Sequence, residues 1–511
     1  MKVLLIYPSW TGAYGIFGHF ARRNSIGPPL NLMFLAAIAE RQGHEAVIID
    51  AEVERLTSQD LVGMVRNIDP DLIGLTLYTP FFHVNVELAR VLRAEGNEIP
   101  IAIGGPHVTI EEEGALEPEF DYGFVGQAEE SWPAFLDAFG NGKDISGIEG
   151  LLYRDNGGIC KTGRPRSSRS TDGDPYPLDR LGMPARHLVK NELYRMGTLH
   201  GRFPVTPLLM SRGCPWRCIF CASEKLQTTN VALRSPGAIV DEIKAANAQY
   251  GVTHFFVVDD VMTLHRDHVE ALCGLLETEG LGITFEGSTR ANLVDEALIE
   301  RMAKCGLVRL SFGLETVDSD MRDTMKKKVP LKYYEQANRL CHEHGIEALN
   351  SVMIGLPGET RETVGKTLSW LRSSREVKQA NFGIAIPYPG TEFHDIALAG
   401  DLGVQLLTRD FSNYRRYGSA VTRIGDLEPE DLIELQNEGF VSIYSAPWRW
   451  RPMLRKHGLL GGGLMLFRLI RLLIQKLLPK RRKIRPTPSY NDTEEPALAG
   501  HAGDPKHPNL L

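Results

Sequence analysis

The sequence predicts an α/β protein with three parts: an N-terminal doubly wound parallel sheet, a partial β/α barrel, and a C-terminal helical extension. Three observations carry that expectation. Short apolar runs alternate with amphipathic stretches through residues 1–140, the alternation resumes through 201–425, and the chain ends on a Leu-rich basic segment that fits neither pattern. A chain of 511 residues, 43% hydrophobic and 24% charged, can bury several cores. That composition excludes a disulfide mini-protein, a collagen-like chain and a wholly disordered one.

Taken in order, candidate strands lie at 3–7, 46–50, 72–77, 101–104 and 122–125, with helical periodicity at 30–42, 58–67, 84–95 and 131–139. Strands separated by helices make a parallel sheet whose loops gather at the carboxyl ends of the strands. Residues 141–200 are rich in Gly, Arg, Ser and Pro and read as a linker. Six more strands follow at 206–210, 254–258, 284–287, 309–312, 349–354 and 381–386. Helices are expected between them at 236–250, 266–279, 296–304, 331–344 and 361–372. In such a barrel the chemistry sits at the C-terminal strand ends. Residues 426–485 form the extension, and the Pro-rich polar stretch 486–511 reads as a disordered tail.

The formal net charge of −7 hides a split. Residues 449–485 hold twelve Lys or Arg and no Asp or Glu, so the remainder is strongly acidic. The N-terminal Met1-Lys2-Val3-Leu4-Leu5-Ile6 reads as a buried first strand rather than a signal peptide, and no apolar run reaches the roughly 20 residues of a membrane span. Seven cysteines are odd in number and sparse, which argues for reduced thiols and a cytoplasmic setting.

Three of those cysteines stand within eight residues, in Cys214-Pro-Trp-Arg-Cys218-Ile-Phe-Cys221 on the loop after a strand. Thiolates are soft ligands that select iron–sulfur clusters or zinc. Three can hold three corners of a cubane and leave one iron open, whereas structural zinc wants four closed ligands. The bland reading is three buried structural thiols.

The C-x3-C-x2-C spacing, with Phe220 before the last cysteine, resembles the radical SAM superfamily. The resemblance implies a [4Fe-4S] cluster on Cys214, Cys218 and Cys221. Its open iron would be chelated by S-adenosylmethionine (SAM), whose reductive cleavage gives a 5′-deoxyadenosyl radical. It also implies an external reductant such as a flavodoxin or ferredoxin. Further segments match at successive strand ends. Asp259-Asp260 ends one strand, and one of the two would hold the methionyl ammonium as a charge-assisted pair. The other would cap a helix start. Arg290 would meet the SAM carboxylate or make a salt bridge within the barrel. Glu315, in Ser311-Phe-Gly-Leu-Glu315, would face the ribose or amino-acid portion, and Gly355, in Met353-Ile-Gly355-Leu-Pro-Gly-Glu359, would let adenine approach closely.

The pairing of such a barrel with a doubly wound, flavodoxin-like domain resembles the cobalamin-binding group of that superfamily, which includes magnesium-protoporphyrin cyclases and hopanoid C-methylases. Leu75-Thr76-Leu77 and Gly104-Gly105-Pro106-His107 stand at strand ends where cobalamin would lie, so Thr76, Gly104 and Gly105 are candidate contacts. The D-x-H-x-x-G motif that supplies a cobalt-ligating His is absent; His83 and His107 lie outside any such motif, and members of this group often lack it. Methylthiotransferases carry a second cysteine triad in the N-terminal domain, but residues 1–150 here hold no cysteine.

The C-terminal segment 459–478 is Leu-rich, with Arg468, Arg471 and Gln475 on one helical face, Trp448 and Trp450 before it, and Lys480-Arg-Arg-Lys483 after it. This reads as an interfacial helix that attaches residues 448–485 to an anionic membrane surface on the inner, cytoplasmic side. A core or dimer helix is the alternative, and nucleic-acid binding is disfavoured by the lack of interleaved stacking aromatics. The functional expectation is methylation of an unactivated carbon in a hydrophobic, membrane-associated, isoprenoid-like substrate. The alternatives are radical oxidation or ring formation on a tetrapyrrole or lipid, and a non-catalytic sensor of cobalamin or SAM.

Overall fold

A computed structural model describes residues 1–11, 27–163, 174–198, 201–227, 229–449 and 463. The first sheet contains β1 (Lys2–Tyr7), β2 (Glu45–Asp50), β3 (Leu72–Thr76), β4 (Ile101–Gly104), β5 (Tyr122–Phe124), β6 (Leu151–Asp155) and β7 (Gly158–Lys161). Its order is β2-β1-β3-β4-β5-β6-β7, parallel through β5 and antiparallel thereafter. The parallel strands are apolar because both faces are covered. Val3 and Leu5 pack with Met33, Trp132 and Phe135 from helices Leu30–Arg41 and Ser131–Gly140. Leu4 and Ile6 face the other way, onto Leu61, Val65 and Leu92 from helices Ser58–Ile68 and Phe82–Ala94. The period of two along β1 thus feeds two separate cores.

The segment expected as a linker is only partly one. Leu151–Asp155 and Gly158–Lys161 form a hairpin that extends the first sheet, with Tyr122 opposite Tyr153. Composition pointed to a linker because the hairpin is short, exposed at its tip and flanked by polar residues.

The second sheet holds β8 (Arg195–Thr198), β9 (Gly201–Leu208), β12 (His254–Val257), β13 (Thr284–Thr289), β14 (Leu307–Glu315), β15 (Glu347–Ile354) and β16 (Gln379–Ile384). A small hairpin of β10 (Ser211–Arg212) and β11 (Ala232–Leu233) lies between β9 and β12. Strands β9 and β12 to β16 pair in parallel in chain order, and β8 adds an antiparallel edge. This is the expected partial barrel of six parallel strands. Near its N-terminal end Arg309 is buried between Glu286 and Glu347, at 2.8 and 2.9 Å. Beyond β16, the helix Pro429–Tyr444 packs on that strand, with Gln436 Nε2 donating to Phe382 O and Tyr444 donating to Ala380 O, both at 2.8 Å.

The two sheets are joined by specific contacts. Tyr194 donates to Asp50 Oδ2 at 2.8 Å. Arg212 pairs with Glu129 at 2.6 Å. Arg186, between the sheets, and Arg234, in the barrel, share the buried Glu242. No helix of the described residues is long and apolar enough to cross a membrane. The segment 459–478 and the tail 486–511 lie outside the described residues, Gly463 apart. Arg449, however, does not belong to a membrane-facing window: it is 1% exposed and donates to the carbonyls of Leu371, Ser374, Val377 and Ile443. Five donors on a fixed fork let one arginine satisfy several orphan carbonyls, and this one fastens the chain to the barrel. The neighbouring Trp448 is 42% exposed.

Candidate functional site

The loop after β9 carries the three cysteines, all free and half-buried. Its entry is held by Asp259, at the end of β12. That carboxylate is 5% exposed and accepts from Met210 N at 2.8 Å and from Ser211 Oγ at 2.5 Å. Both oxygens are therefore spent on the loop backbone and its serine. Burial pushes Asp259 up to about 6 despite those bonds. The adjacent Asp260 differs. Its Oδ1 accepts from Ser223 Oγ at 2.9 Å, and Ser223 lies 3.3 Å from Cys221 Sγ. Its Oδ2 is buried without a partner, and burial raises its pKa. An orphaned carboxylate oxygen beside the cysteine loop is what an incoming ammonium needs. The structure thus separates two aspartates that the sequence leaves equivalent.

The triad is flanked by cations. Burial pushes the Cys214 thiol up to about 11, with Asp260 and the other two thiols adding to the effect. Burial also raises Cys218, while Lys327 and Arg290 pull it back. Metal binding needs thiolates, so these cations favour the ligand form. Arg290 stacks over Trp216 at 4.2 Å and donates to the Lys327 carbonyl, and its Nε is buried without a partner. Lys327 Nζ lies 5.8 Å from the Phe220 ring centroid and pairs with Glu315 at 2.7 Å, both side chains being under a tenth exposed. Glu315 holds a left-handed φ of 58°, a strained conformation for a non-glycine residue. A side chain at Gly313 would collide with both members of the pair.

Among the described residues no three His, Cys, Asp or Glu converge to hold a single ion, as zinc would require. A cubane instead takes each thiolate on a different iron, which suits three thiols spread along one loop. The orphaned Asp260 oxygen and the unpartnered Arg290 nitrogen match the ammonium and carboxylate of an amino-acid ligand.

Other expected contacts sit differently. Gly355 has φ 95°, and a Cβ there would meet Leu432 of the C-terminal helix at 3.2 Å. Its conformation and that packing already require glycine. Nearby, burial pushes Glu359 up to about 8 while it accepts from Gly355 N. In the first sheet Thr76 and Gly104 are register partners, and Thr76 accepts from Asn31 Nδ2 at 2.9 Å. Gly105 has φ 103°, and a side chain there would strike Leu77 O and Thr76 Oγ1, both at 2.9 Å. That glycine serves the approach of two strand ends. His107 is buried, its Nδ1 3.2 Å from Thr79 Oγ1 and its ring 4.3 Å from Phe82 and 5.1 Å from Phe411. His83 is exposed.

Lys327 and Ser223 were not legible as site residues. Lys327 is the middle of Lys326-Lys327-Lys328, which reads as a solvated run; only the Val329-Pro330 that follows hints that the run turns inward.

Two family models match stretches of this chain, and relatives match most of its length. Residues 208–371 match the Radical SAM superfamily, and residues 19–136 match the B12 binding domain. An uncharacterized methyltransferase of Pyrococcus horikoshii is 28% identical over 456 residues, covering 88% of this chain and 93% of its own. The hopanoid C-3 methylase of Methylococcus capsulatus is 25% identical, covering 80% and 74%. The radical SAM methyltransferase TsrM of Kitasatospora setae, solved with cobalamin and a [4Fe-4S] cluster bound, shares the fold at TM-score 0.67 and 18% identity, covering 87% of this chain and 89% of its own. The chain thus joins a B12 binding domain to a radical SAM domain, and over most of its length it is similar to methylases of that build, the hopanoid methylases among them.

Proposed function

We propose that this enzyme methylates an unactivated carbon of a hydrophobic, isoprenoid-like small molecule. One observation carries the reading of its site: the buried, unpartnered Oδ2 of Asp260, linked through Ser223 to Cys221. In this reading Cys214, Cys218 and Cys221 each ligate one iron. Asp260 receives the SAM ammonium, and Asp259 holds the loop. Arg290 and Lys327 supply positive charge for the SAM carboxylate, with Glu315 orienting Lys327 and Phe220 shielding it. Gly355 keeps the loop after β15 in place. Thr76, Gly104 and Gly105 form the edge against which cobalamin rests. When bound, the cluster and SAM supply a hydrogen-abstracting radical, and cobalamin carries the methyl group.

The apolar character of the substrate is supported by a row of rings between the two sheets. Phe82 lies 6.4 Å from Phe411, Phe411 lies 5.3 Å from Tyr414, and Tyr414 lies 6.3 Å from Tyr388. The rings pack on one another, with Tyr414 fully buried, and make this region apolar. The relative that acts on hopanoids supports the isoprenoid class. We assign membrane attachment at the inner, cytoplasmic face to residues 450–485, with a flavodoxin or ferredoxin as electron donor and no nucleic-acid partner. The test is a deletion strain complemented with the gene and fed methyl-labelled methionine. Label in a membrane lipid, lost on deletion, supports the reading. An oxidised or ring-closed product without label would favour the cyclase-like alternative.

A further inference from the structure

Four cysteines lie outside the triad, and two of them meet. Cys273 is on the helix Arg266–Glu279, and Cys305 directly follows the helix Glu296–Lys304. Their sulfurs are 2.7 Å apart and buried, at 1% and 8% exposure. The helices are already side by side: Arg301 pairs with Glu277 at 3.3 Å, and a Cβ on Gly274 would lie 3.4 Å from Arg301. The packing of the two helices already holds the sulfurs against each other. We propose that Cys273 and Cys305 are a redox modification site, a dithiol that closes to a disulfide independently of the cluster ligands.

The oxidant is a small disulfide of the glutathione class. The Cys305 sulfur, the more exposed of the two, loses its proton and attacks one sulfur of that molecule, releasing one small thiol. Cys273 then displaces the second small thiol and closes the bond. Two protein S–H bonds and one small-molecule S–S bond break; one protein S–S bond and two small-molecule S–H bonds form. The protein loses two electrons, and the small disulfide gains them. The neighbouring Cys273 sulfur and burial raise the Cys305 thiol, which slows its reaction. The bond would tie together the helices that follow β12 and β13, the two strands that lead to Asp260 and Arg290.

The experiment uses the cluster-loaded, full-length enzyme, held anaerobically with oxidised glutathione. Free thiols are then alkylated, and the digest is mapped by mass spectrometry. A Cys273–Cys305 linked peptide is expected, together with a rise in melting temperature of about 5 °C over the reduced enzyme. Cys273→Ala and Cys305→Ala should abolish that rise, and Cys341→Ala should retain it. Two alkylated cysteines without the linked peptide, or a glutathione adduct at Cys305 that never closes, would overturn the proposal. The peptide map of the unaltered enzyme decides even if a variant misfolds, and it is independent of the substrate reading.

Discussion

Asp260→Asn isolates the charge at the centre of the site. The amide oxygen can still accept from Ser223 Oγ, which lies 2.9 Å away, so the loop that links Ser223 to Cys221 is kept. What is lost is the negative charge on the side chain whose Oδ2 is buried without a partner. A hydrogen bond to a charged group contributes about 1.5–3 kcal/mol, so SAM affinity should fall roughly 10- to 150-fold. Asp259→Asn is the matched control. Both of its oxygens already accept from Met210 N and Ser211 Oγ, so its replacement should lower the melting temperature and shift SAM affinity much less. The assay is equilibrium binding of SAM to cluster-loaded enzyme by calorimetry, alongside thermal unfolding. If Asp260→Asn binds SAM like the wild type while Asp259→Asn does not, the assignment of the two carboxylates is wrong.

Four further outcomes follow from the same geometry. Cys218→Ala should fold, yet fail to retain iron and the visible absorbance of a thiolate-bound cluster, and should give no 5′-deoxyadenosine. Lys327→Met leaves Glu315 charged and buried, and should cost about 3–5 kcal/mol in denaturant unfolding, with Lys327→Met/Glu315→Gln recovering much of it. His107 is held down to about 4 by burial. Between the ordinary histidine value and that pH the unfolded chain binds a proton the folded one does not, so stability is complete above that window and falls by about 3 kcal/mol as pH drops through it; His107→Phe should flatten that acid limb. Deleting residues 450–485 keeps the buried Arg449 and should release the protein from membranes without loss of SAM binding; persistent membrane fractionation would remove the interfacial segment from the account.

How much of this was legible in the sequence depended on the range of the signal. Alternating apolar runs gave the two parallel sheets, because a strand buried on both faces must be apolar almost throughout. The cysteine spacing was equally local. The hairpin Leu151–Lys161 was missed because its strands are short and half-exposed. The split between Asp259 and Asp260 could not be read, since it rests on which carboxylate reaches the Met210 and Ser211 loop, nearly fifty residues away in the chain. In the sequence Gly105 and Gly355 read as making room for ligands, yet the space beside them is filled by Leu77, Thr76 and Leu432. Lys327 stayed hidden because burial of the central residue in a lysine run depends on a distant partner, Glu315.

The most direct test is a single anaerobic reaction. Purified enzyme carrying its cluster and cobalamin is given SAM labelled in the methyl group, a low-potential reductant, and membrane lipid extracted from the deletion strain. The account requires 5′-deoxyadenosine together with label fixed in one lipid carbon, both lost in Cys218→Ala. Label transfer that persists in Cys218→Ala, or deoxyadenosine formed with no labelled lipid at any substrate load, would contradict it.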